Sequence, residues 1–362
     1  MNRPNVIVSI DWFLPGTKAG GPVRSIVNMV EHLKEFNFYI ITSDTDYCAH
    51  KPYENLTSNR WIQFAENVQV YYFSKEELNK ANLKRVIQSV DSNTIYINGI
   101  FSKFFSRLPL KIAQTLKMNT IVASRGMLSP HGLAVKPIKK QLFLKMINAR
   151  KAYKHIHFHA TNLEEKHAIQ QVINHYNQIT PIPNLPRKIK EDELIPIRKE
   201  ERKVKLIALG RIAEEKGTIV GLEALLNTNG EVELDLYGTI YNENYWQRCQ
   251  AVIKKLPETI RVQYKGALPS EEVMQTLQNY HFLFMPSKGE NYGHAIVESL
   301  MANRPVVISK HTPWKNLNQN NIGFDVDESE LPATLQKVVD MGNKDYSLMC
   351  KSIQNQIENL LE

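Results

Sequence analysis

The sequence of 362 residues predicts two α/β domains, each built on a parallel sheet covered by helices. Short apolar runs rich in β-branched residues alternate with longer segments of helical periodicity, which is typical of βαβ units. A proline-rich stretch at 181–202 interrupts this alternation, which resumes with a strand at 204–210. The length suits two domains, and 43% hydrophobic residues allow each to form its own core.

The first domain is predicted to open with a strand at 6–10 and a helix at 21–35, whose apolar residues recur near helical spacing. Further strands are predicted at 38–42, 94–98, 120–124 and 155–161. These elements define an N-terminal domain of residues 1–185, followed by a linker of residues 186–203.

The second domain is predicted to cover residues 204–345. Its strands are predicted at 204–210, 231–237, 262–264, 282–285 and 306–309, with helical character at 297–301. A final helix at 346–362 is expected to pack back toward the N-terminal domain. Two sheets joined by a linker would leave a central cleft at the carboxyl ends of their strands, where ligands bind in such folds.

Composition excludes several classes of protein. The apolar runs fall short of the roughly 20 residues that span a bilayer, and no signal-peptide core precedes the first strand. Three dispersed cysteines, Cys48, Cys249 and Cys350, form no CxxC pair. This spacing argues against a disulfide framework or a zinc site and fits a reducing cytoplasm.

The net charge of +8 is unevenly distributed. Residues 92–163 contain twelve lysines and arginines and not one aspartate or glutamate. Such asymmetry indicates an anionic partner. Nucleic acid, an anionic membrane surface and a phosphorylated acceptor are the candidates.

Residues 16–22, GTKAGGP, lie between the first strand and the first helix. Glycines there let the backbone approach a phosphate, and the helix N-terminus offers N–H donors. Pro22 suits the first turn of a helix. The alternative is a tight strand-to-helix turn without a ligand.

Residues 210–217, GRIAEEKG, follow the first strand of the second domain. Arg211 offers a planar fork of donors for phosphate oxygens, and Lys216 a compact positive charge. Both would lie at the carboxyl end of a strand, where they could stabilise a departing diphosphate. The alternative is two solvated cations paired with Glu214 and Glu215.

Residues 286–298 hold a glycine-rich turn and the start of a helix, with glutamates at Glu290 and Glu298. Glu290 could accept hydrogen bonds from sugar hydroxyls and Glu298 from a ribose. The amides of residues 291–294 could hold phosphate or sugar oxygens. The alternative is a capped helix with two exposed carboxylates.

Together the three motifs resemble those of the family 4 retaining glycosyltransferases, and the resemblance covers almost the whole chain. The segments that carry it are GG at 20–21, GRI at 210–212, KG at 216–217, LDLYG at 234–238, VQYKGALP at 262–269, the two glutamates, and RPVV at 304–307. The sequence departs from the family pattern at Asn291 and Asn303, where the family often has glycine.

The resemblance implies the GT-B fold, in which two Rossmann-like domains face a central cleft, and transfer of a sugar from a nucleotide-diphosphate donor. It implies catalytic roles for Arg211, Lys216, Glu290 and His131. The implied donor-binding residues are Gly20, Gly21, Gly210, Leu268, Asn291, Tyr292, Gly293, His294 and Glu298. For His131 the alternative is a structural loop histidine.

The resemblance also implies retention of anomeric configuration without a metal ion or cofactor, the donor carrying UDP or GDP. No carboxylate is placed as a covalent nucleophile, so same-face attack is favoured, with the departing phosphate helping to take the acceptor proton. Asp44-Thr45-Asp46 has the form of a metal-binding pair but follows a strand of the first domain, and no metal is expected there.

The basic stretch 136–154 carries Ile138, Leu142 and Leu144 among its cations, and basic amphipathic helices of this kind lie on anionic membranes. The alternative is a solvated helix face. The expected partners are the donor and a glycan or lipid-diphosphate acceptor, with no nucleic acid. The expected location is the cytoplasm, peripherally at the inner face of a membrane, in surface-polysaccharide or lipopolysaccharide synthesis. Alternatives are a catalytically silent sugar-nucleotide-binding partner, a phosphorylase or an epimerase.

Overall fold

The computed structural model describes residues 3–134, 137–188 and 194–361. Contacts divide the chain into two compact units, Met1–Lys188 and Ile189–Glu362. Each unit is a twisted α/β sheet packed between helices, which confirms the predicted fold class of two Rossmann-like domains. The division lies inside the stretch that the sequence assigned to a linker.

The first unit contains one eight-stranded sheet in the order β3-β4-β2-β1-β5-β6-β7-β8. The strands are β1 (Asn5–Ser9), β2 (Asn37–Ser43), β3 (Trp61–Ala65), β4 (Val68–Phe73), β5 (Thr94–Asn98), β6 (Asn119–Ala123), β7 (His157–Ala160) and β8 (Gln178–Pro181). The helices are α1 (Gly21–His32), α2 (Lys80–Gln88), α3 (Leu108–Thr115), α4 (Pro130–Ala134), α5 (Pro137–Ala149) and α6 (Leu163–Val172), with a π-helical turn at Lys103–Arg107.

One pair in this sheet departs from the predicted parallel arrangement, because β3 runs antiparallel to β4. Only Glu66 and Asn67 connect these strands, and so short a connection allows only a hairpin. Neither strand was predicted from the sequence, nor was β8, which ends at the first proline of the proline-rich stretch.

The core of the first unit lies on both faces of the sheet. Ile7 of β1 packs into the cluster with α2 and α3, whereas its neighbour Val8 packs into the cluster with α1. Both side chains are fully buried. This burial on two faces explains why the strands are continuous apolar runs without polar alternation.

The second unit contains a six-stranded parallel sheet in the order β11-β10-β9-β12-β13-β14. The strands are β9 (Lys203–Leu209), β10 (Glu231–Tyr237), β11 (Ile260–Gly266), β12 (Phe282–Met285), β13 (Val306–Ser309) and β14 (Gly323–Val326). The helices are α7 (Thr218–Ala224), α8 (Glu243–Ile253), α9 (Val273–Leu277), α10 (His294–Met301), α11 (Leu331–Asp340) and α12 (Asn343–Leu361).

The strand order reverses at one point in each sheet. In the second unit the chain moves outward from β9 through β10 to β11, then returns to place β12 on the other side of β9. In the first unit the same reversal separates β1 from β5. Loops at the carboxyl ends of strands diverge at such a switch point, and ligands of open α/β sheets bind there.

The segment that leads into β9 is anchored to the second unit. The ammonium of Lys199 donates to the carbonyls of Val339 (3.1 Å) and Met341 (2.7 Å). The buried Arg304 donates to the carbonyl of Ile195 at 2.6 Å. Residues 194–200 of the predicted linker are therefore part of the second unit's packing.

The last helix begins at Asn343, three residues before the predicted start, and Tyr346, Met349 and Ile353 are buried in the cores of the second unit. The expected contact with the N-terminal domain stays a prediction.

Helix α5 lies within the basic stretch 136–154. Its Leu144 and Ile147 are buried against the first unit, whereas Ile138 and Leu142 are 80% and 69% exposed. The apolar residues of this stretch therefore divide between two faces. No helix in the described ranges is long and apolar enough to cross a membrane.

Candidate functional site

The second unit brings two of the predicted motifs together at its switch point. The loop 210–217 leaves the carboxyl end of β9, and the loop 286–293 leaves the carboxyl end of β12, its neighbour in the sheet. Lys216 Nζ and Glu290 Oε1, 74 residues apart in sequence, lie 2.5 Å apart. Both side chains are largely buried. The two motifs therefore form one site.

Gly210 and Gly217 give the first loop its shape. Gly210 has φ +156° and donates its N–H to the carbonyl of Tyr237 at 2.9 Å. Gly217 has φ +66°, and a Cβ at this position would lie 2.0 Å from the carbonyl oxygen of Pro286. Only glycine allows the turn before α7 to pass this close to the chain after β12.

Arg211 occupies the outer side of the same loop. Its Nη2 contacts Glu215 Oε1 at 3.0 Å, and its guanidinium lies 5.3 Å from the ring centre of Tyr241. The ion pair is the alternative that the sequence left open for this arginine. Arg211, Lys216 and Gly210 all line a pocket at the end of β9, together with Pro286.

The loop after β12 is held by residues that the sequence analysis missed. Gly293 has φ +81° and caps α10. The indole of Trp314 donates to the carbonyl of Tyr292 at 2.7 Å, and the N–H of Glu290 donates to the carbonyl of His311 at 3.4 Å. His311 and Trp314 follow β13, the next strand of the sheet. Their sequence gave no signal, because nothing in it shows which loop they contact.

Glu298 lies on α10 and is only 4% exposed. Asn291 and His294 are half-buried at the start of the same helix, and Tyr292 lies 4.8 Å from the His294 ring, centre to centre. Burial raises the pKa of Tyr292 to about 12, so its hydroxyl stays protonated and can donate near neutral pH. The predicted ribose contact of Glu298 stays a prediction.

Leu268 follows β11, two residues beyond Gly266, and is half-buried against the cluster that includes Tyr237. Gly238, after β10, ends the LDLYG segment that carries the resemblance, but the sequence assigned it no role in the site. A Cβ on Gly238 would lie 1.9 Å from the carbonyl oxygen of Gly210. The loops after β9 and β10 therefore meet backbone to backbone.

The glycine loop of the first unit is fixed by Asp46. The Asp46 carboxylate accepts the N–H groups of Thr17 (3.1 Å) and Lys18 (3.3 Å). Gly20 has φ +68° and caps α1, and a Cβ there would meet nothing within 4 Å. Gly20 is thus half-buried and Gly21 exposed at the start of α1.

Asp11 lies at the switch point of the first unit, two residues after β1. Ser102 Oγ donates to its carboxylate at 2.6 Å. Burial raises the pKa of Asp11 to about 6, although the hydrogen bond from Ser102 opposes this shift. The sequence analysis missed Asp11, since a lone aspartate after a strand carries no motif.

His131 lies on α4, but its side chain is outside the described part of the structure. The loop before α4 is held by the Glu165 carboxylate. This carboxylate accepts hydrogen bonds from Ser124 Oγ (2.5 Å) and the N–H of Gly126 (2.6 Å). It also accepts them from the N–H and the hydroxyl of Thr161 (2.7 Å each). Burial alone would raise the pKa of Glu165, but these four hydrogen bonds hold it below its ordinary value.

The geometry agrees with a family comparison. Residues 190–356 match the family model described as "Glycosyl transferases group 1". The matched range contains Arg211, Lys216, Glu290 and Glu298. A search of the curated proteins gives no match.

Solved structures resemble the chain over its full length at low sequence identity. Sucrose-phosphate synthase from Thermosynechococcus elongatus is 15% identical with a TM-score of 0.71, covering 100% of this chain and 95% of that chain. HepE from Anabaena, solved with UDP and glucose, is 12% identical with a TM-score of 0.70, covering 99% and 96%.

WaaG, a glycosyltransferase involved in lipopolysaccharide biosynthesis, is 12% identical with a TM-score of 0.66, covering 98% of this chain and 95% of that chain. Identity this low shows the fold alone. Residues 190–356 thus match the glycosyl transferases of group 1, and the whole chain has the two-domain GT-B fold of the glycosyltransferases that it resembles.

Proposed function

We propose that this protein is a retaining glycosyltransferase that moves a sugar from a nucleotide-diphosphate donor to a glycan or lipid-linked acceptor. The contact between Lys216 and Glu290 carries the proposal, because an ammonium that could bind phosphate lies beside a carboxylate that could accept hydrogen bonds from sugar hydroxyls. The family match over residues 190–356 supports it.

The cations have a defined task in this reaction. The bond between the sugar C1 and the diphosphate oxygen breaks, and negative charge grows on the departing diphosphate. Lys216 and Arg211 would stabilise that charge, exchanging part of their contacts with Glu290 and Glu215 for phosphate oxygens. Glu290, released in part from Lys216, would accept hydrogen bonds from the donor sugar.

Retention is proposed to follow from attack on the face that the diphosphate leaves. The acceptor oxygen bonds to C1, and its proton passes to the departing phosphate oxygen, so that no enzyme base or covalent nucleophile is required. The protein then acts by positioning and by charge stabilisation. We propose that no metal ion takes part, since Lys216 and Arg211 supply the positive charge.

UDP is the first donor nucleotide to test, because the similar HepE was solved with UDP and glucose. The proposed setting is surface-polysaccharide or lipopolysaccharide synthesis, to which WaaG belongs. The proposed location is the cytoplasm.

A binding panel with UDP, GDP, ADP and their glucose conjugates tests the donor site on wild type, Glu298→Gln and Lys216→Ala. Ligand that binds the folded state raises the unfolding temperature. We expect one nucleotide to stabilise the wild type and both substitutions to weaken the effect. Lys205→Ala, which removes an exposed lysine of the same unit, is the control.

Release of nucleotide from the donor sugar then separates the alternatives. A transferase releases it faster when the acceptor is present, and a silent binding partner releases none. Absence of any nucleotide effect at millimolar concentration would contradict the donor site itself.

We also propose that α5 contacts an anionic membrane surface. Ile138 and Leu142 are exposed on this helix, and Lys139 and Lys145 lie beside them on its solvent side. Flotation with vesicles of phosphatidylglycerol and phosphatidylcholine tests this. The double substitution Ile138→Ser, Leu142→Ser is expected to abolish binding, and binding equal to wild type would contradict the proposal.

A further inference from the structure

Arg125 is a fixed arginine at the carboxyl edge of the first unit's sheet. It lies two residues after β6, with φ +53°, a backbone conformation uncommon for a residue with a side chain. Its Nε donates to Asn98 Oδ1 at 2.7 Å, its Nη2 to the hydroxyl of Tyr96 at 2.9 Å, and its Nη1 to Asn184 Oδ1. Three acceptors from three parts of the chain therefore fix the guanidinium.

All three acceptors are neutral. The Tyr96 hydroxyl is itself tied to His159 Nδ1 at 2.7 Å, and His159 Nε2 contacts the carbonyl of Ile182 at 2.8 Å. Burial, followed by the positive charge of Arg125, lowers the pKa of His159, so this ring adds no charge near neutral pH. The hydrogen bonds position the arginine, and none of their acceptors is a carboxylate.

The Glu165 carboxylate, which lies beside the Arg125 loop, is hydrogen-bonded to other groups. Its two oxygens accept hydrogen bonds from the neutral donors of Ser124, Gly126 and Thr161. Within the described residues Arg125 forms no ion pair. A guanidinium removed from water is ordinarily paired with an opposite charge, and its fork matches carboxylates and phosphates.

The Arg125 guanidinium has N–H donors beyond those that bond Asn98, Tyr96 and Asn184. Of its five N–H groups, which is the number that any arginine carries, three contact the acceptors already named. Arg125 is half-buried, so part of its surface reaches solvent. The segment of sequence that contains it, residues 92–163, has no acidic residue.

We propose that Arg125 binds the phosphate group of an anionic acceptor. That the ligand is an acceptor rests on the proposed function. The fork of the guanidinium matches two oxygens of a phosphate ester, and prior fixation by Asn98, Asn184 and Tyr96 reduces the entropy lost on binding. The same chemistry is available from a soluble sugar phosphate and from a lipid-linked phosphate.

The test follows the Nε–H signals of the full chain, labelled with nitrogen-15 arginine, during titration with inorganic phosphate and with glucose 6-phosphate at constant ionic strength. The signal of Arg125, assigned with Arg125→Lys, is expected to shift saturably. The signal of the exposed Arg150, in the same acid-free segment, is the internal control and is expected to stay unchanged. Glucose is the neutral control ligand.

Asn98→Asp provides a variant that keeps Arg125 and its packing. It places a carboxylate on the Nε of Arg125, supplying the missing partner, and is expected to weaken phosphate binding at least about tenfold. Unchanged binding in this variant would overturn the inference, as would an Arg125 signal that moves no more than that of Arg150 with every phosphate tested, soluble or in vesicles.

Vesicles identify the source of the phosphate. If the Arg125 signal responds to vesicles of equal phosphatidylglycerol and phosphatidylcholine but not to the soluble phosphates, the ligand is lipid-linked. If it responds only to the soluble phosphates, the ligand is soluble. No response to either overturns the inference. UDP added to the same sample reports on Arg211. If Arg211 fails to respond while Arg125 binds phosphate, the donor site is wrong and the anion site stands.

Discussion

The positive charge of Lys216 is balanced by a carboxylate from a different loop. Its ammonium contacts Glu290, whereas Arg211 in the same loop contacts Glu215. Each cation therefore contacts a carboxylate, which the proposed diphosphate would replace. Because the Lys216 pair is largely buried, its attraction is less screened than that of exposed pairs.

Removal of Lys216 is expected to slow sugar transfer more than it weakens nucleotide binding. Loss of one preorganised charge at a developing anion costs about 10²–10³ in kcat. Donor hydrolysis or transfer, measured for Lys216→Ala beside the control Lys205→Ala, checks this. An equal effect on KM with an unchanged kcat would show that Lys216 contributes only uniform binding.

Asp11 gives the first unit a pH-dependent stability. Its pKa is raised to about 6 in the folded protein, so the folded state holds more protons than the unfolded state between about pH 4 and 6. The free energy of unfolding is therefore highest, as far as Asp11 is concerned, at low pH, and it falls as the pH rises from about 4 to 6. Asp11→Asn should leave stability unchanged below about pH 4 and raise it by about 3 kcal/mol well above pH 6.

Chemical unfolding at several pH values measures the effect of Asp11→Asn. Asp91→Asn, which removes an exposed aspartate of the same unit, is the control. A gain that does not vary with pH would contradict the assignment to the ionisation of Asp11.

At the scale of elements, the candidate site depends on how closely neighbouring loops can approach. The turn Glu214–Lys216 reaches the chain after β12 only because Gly217 has no side chain at the carbonyl of Pro286. The loop after β13 then holds the other side through Trp314. Three loops from three neighbouring strands thus determine where Lys216 and Glu290 meet.

Gly217→Ala is expected to destabilise the second unit and to separate Lys216 from Glu290. The matched control is Gly266→Ala, because Gly266 also has a positive φ (+79°) but a Cβ there meets nothing within 4 Å. The control should lower the free energy of unfolding only by the strain of a side-chain-bearing residue at positive φ, about 1–2 kcal/mol. Urea unfolding compares the two, and equal costs would show that the contact with Pro286 is not limiting.

At the scale of the whole molecule, each unit has its own apolar cores and its own sheet. Arg211, Lys216, Glu290 and Glu298 all belong to the second unit. Independent cores are the property that allows a domain to fold alone.

A fragment of residues 194–362 is therefore expected to fold and to bind UDP within about tenfold of the full chain, a difference of about 1.4 kcal/mol. A fragment of residues 203–362 keeps β9 but loses Ile195 and Lys199, and it should unfold at lower temperature, because the buried Arg304 loses an acceptor. Circular dichroism and calorimetry compare them. Loss of UDP binding by the longer fragment would show that the first unit contributes to the donor site.

The sequence by itself determined the fold class and most of the sheet. Strands such as β5, β10, β12 and β13 were predicted at their observed bounds, because burial on two faces requires continuous apolar runs. The same logic missed β3, which is partly exposed, and β8, which is short and ends in a proline. The glycines and charged residues of the three motifs were also visible, since their spacing from strand ends is local information.

Only the tertiary structure decided which of these residues meet. The contacts of Lys216 with Glu290 and of Trp314 with Tyr292 depend on strand order, and a crossover between distant strands leaves no mark in local sequence. Burial decided the rest: it raised the pKa of Asp11, and it fixed Arg125 among neutral acceptors. Both effects arise from desolvation and packing, which depend on every neighbour in space and on few neighbours in sequence.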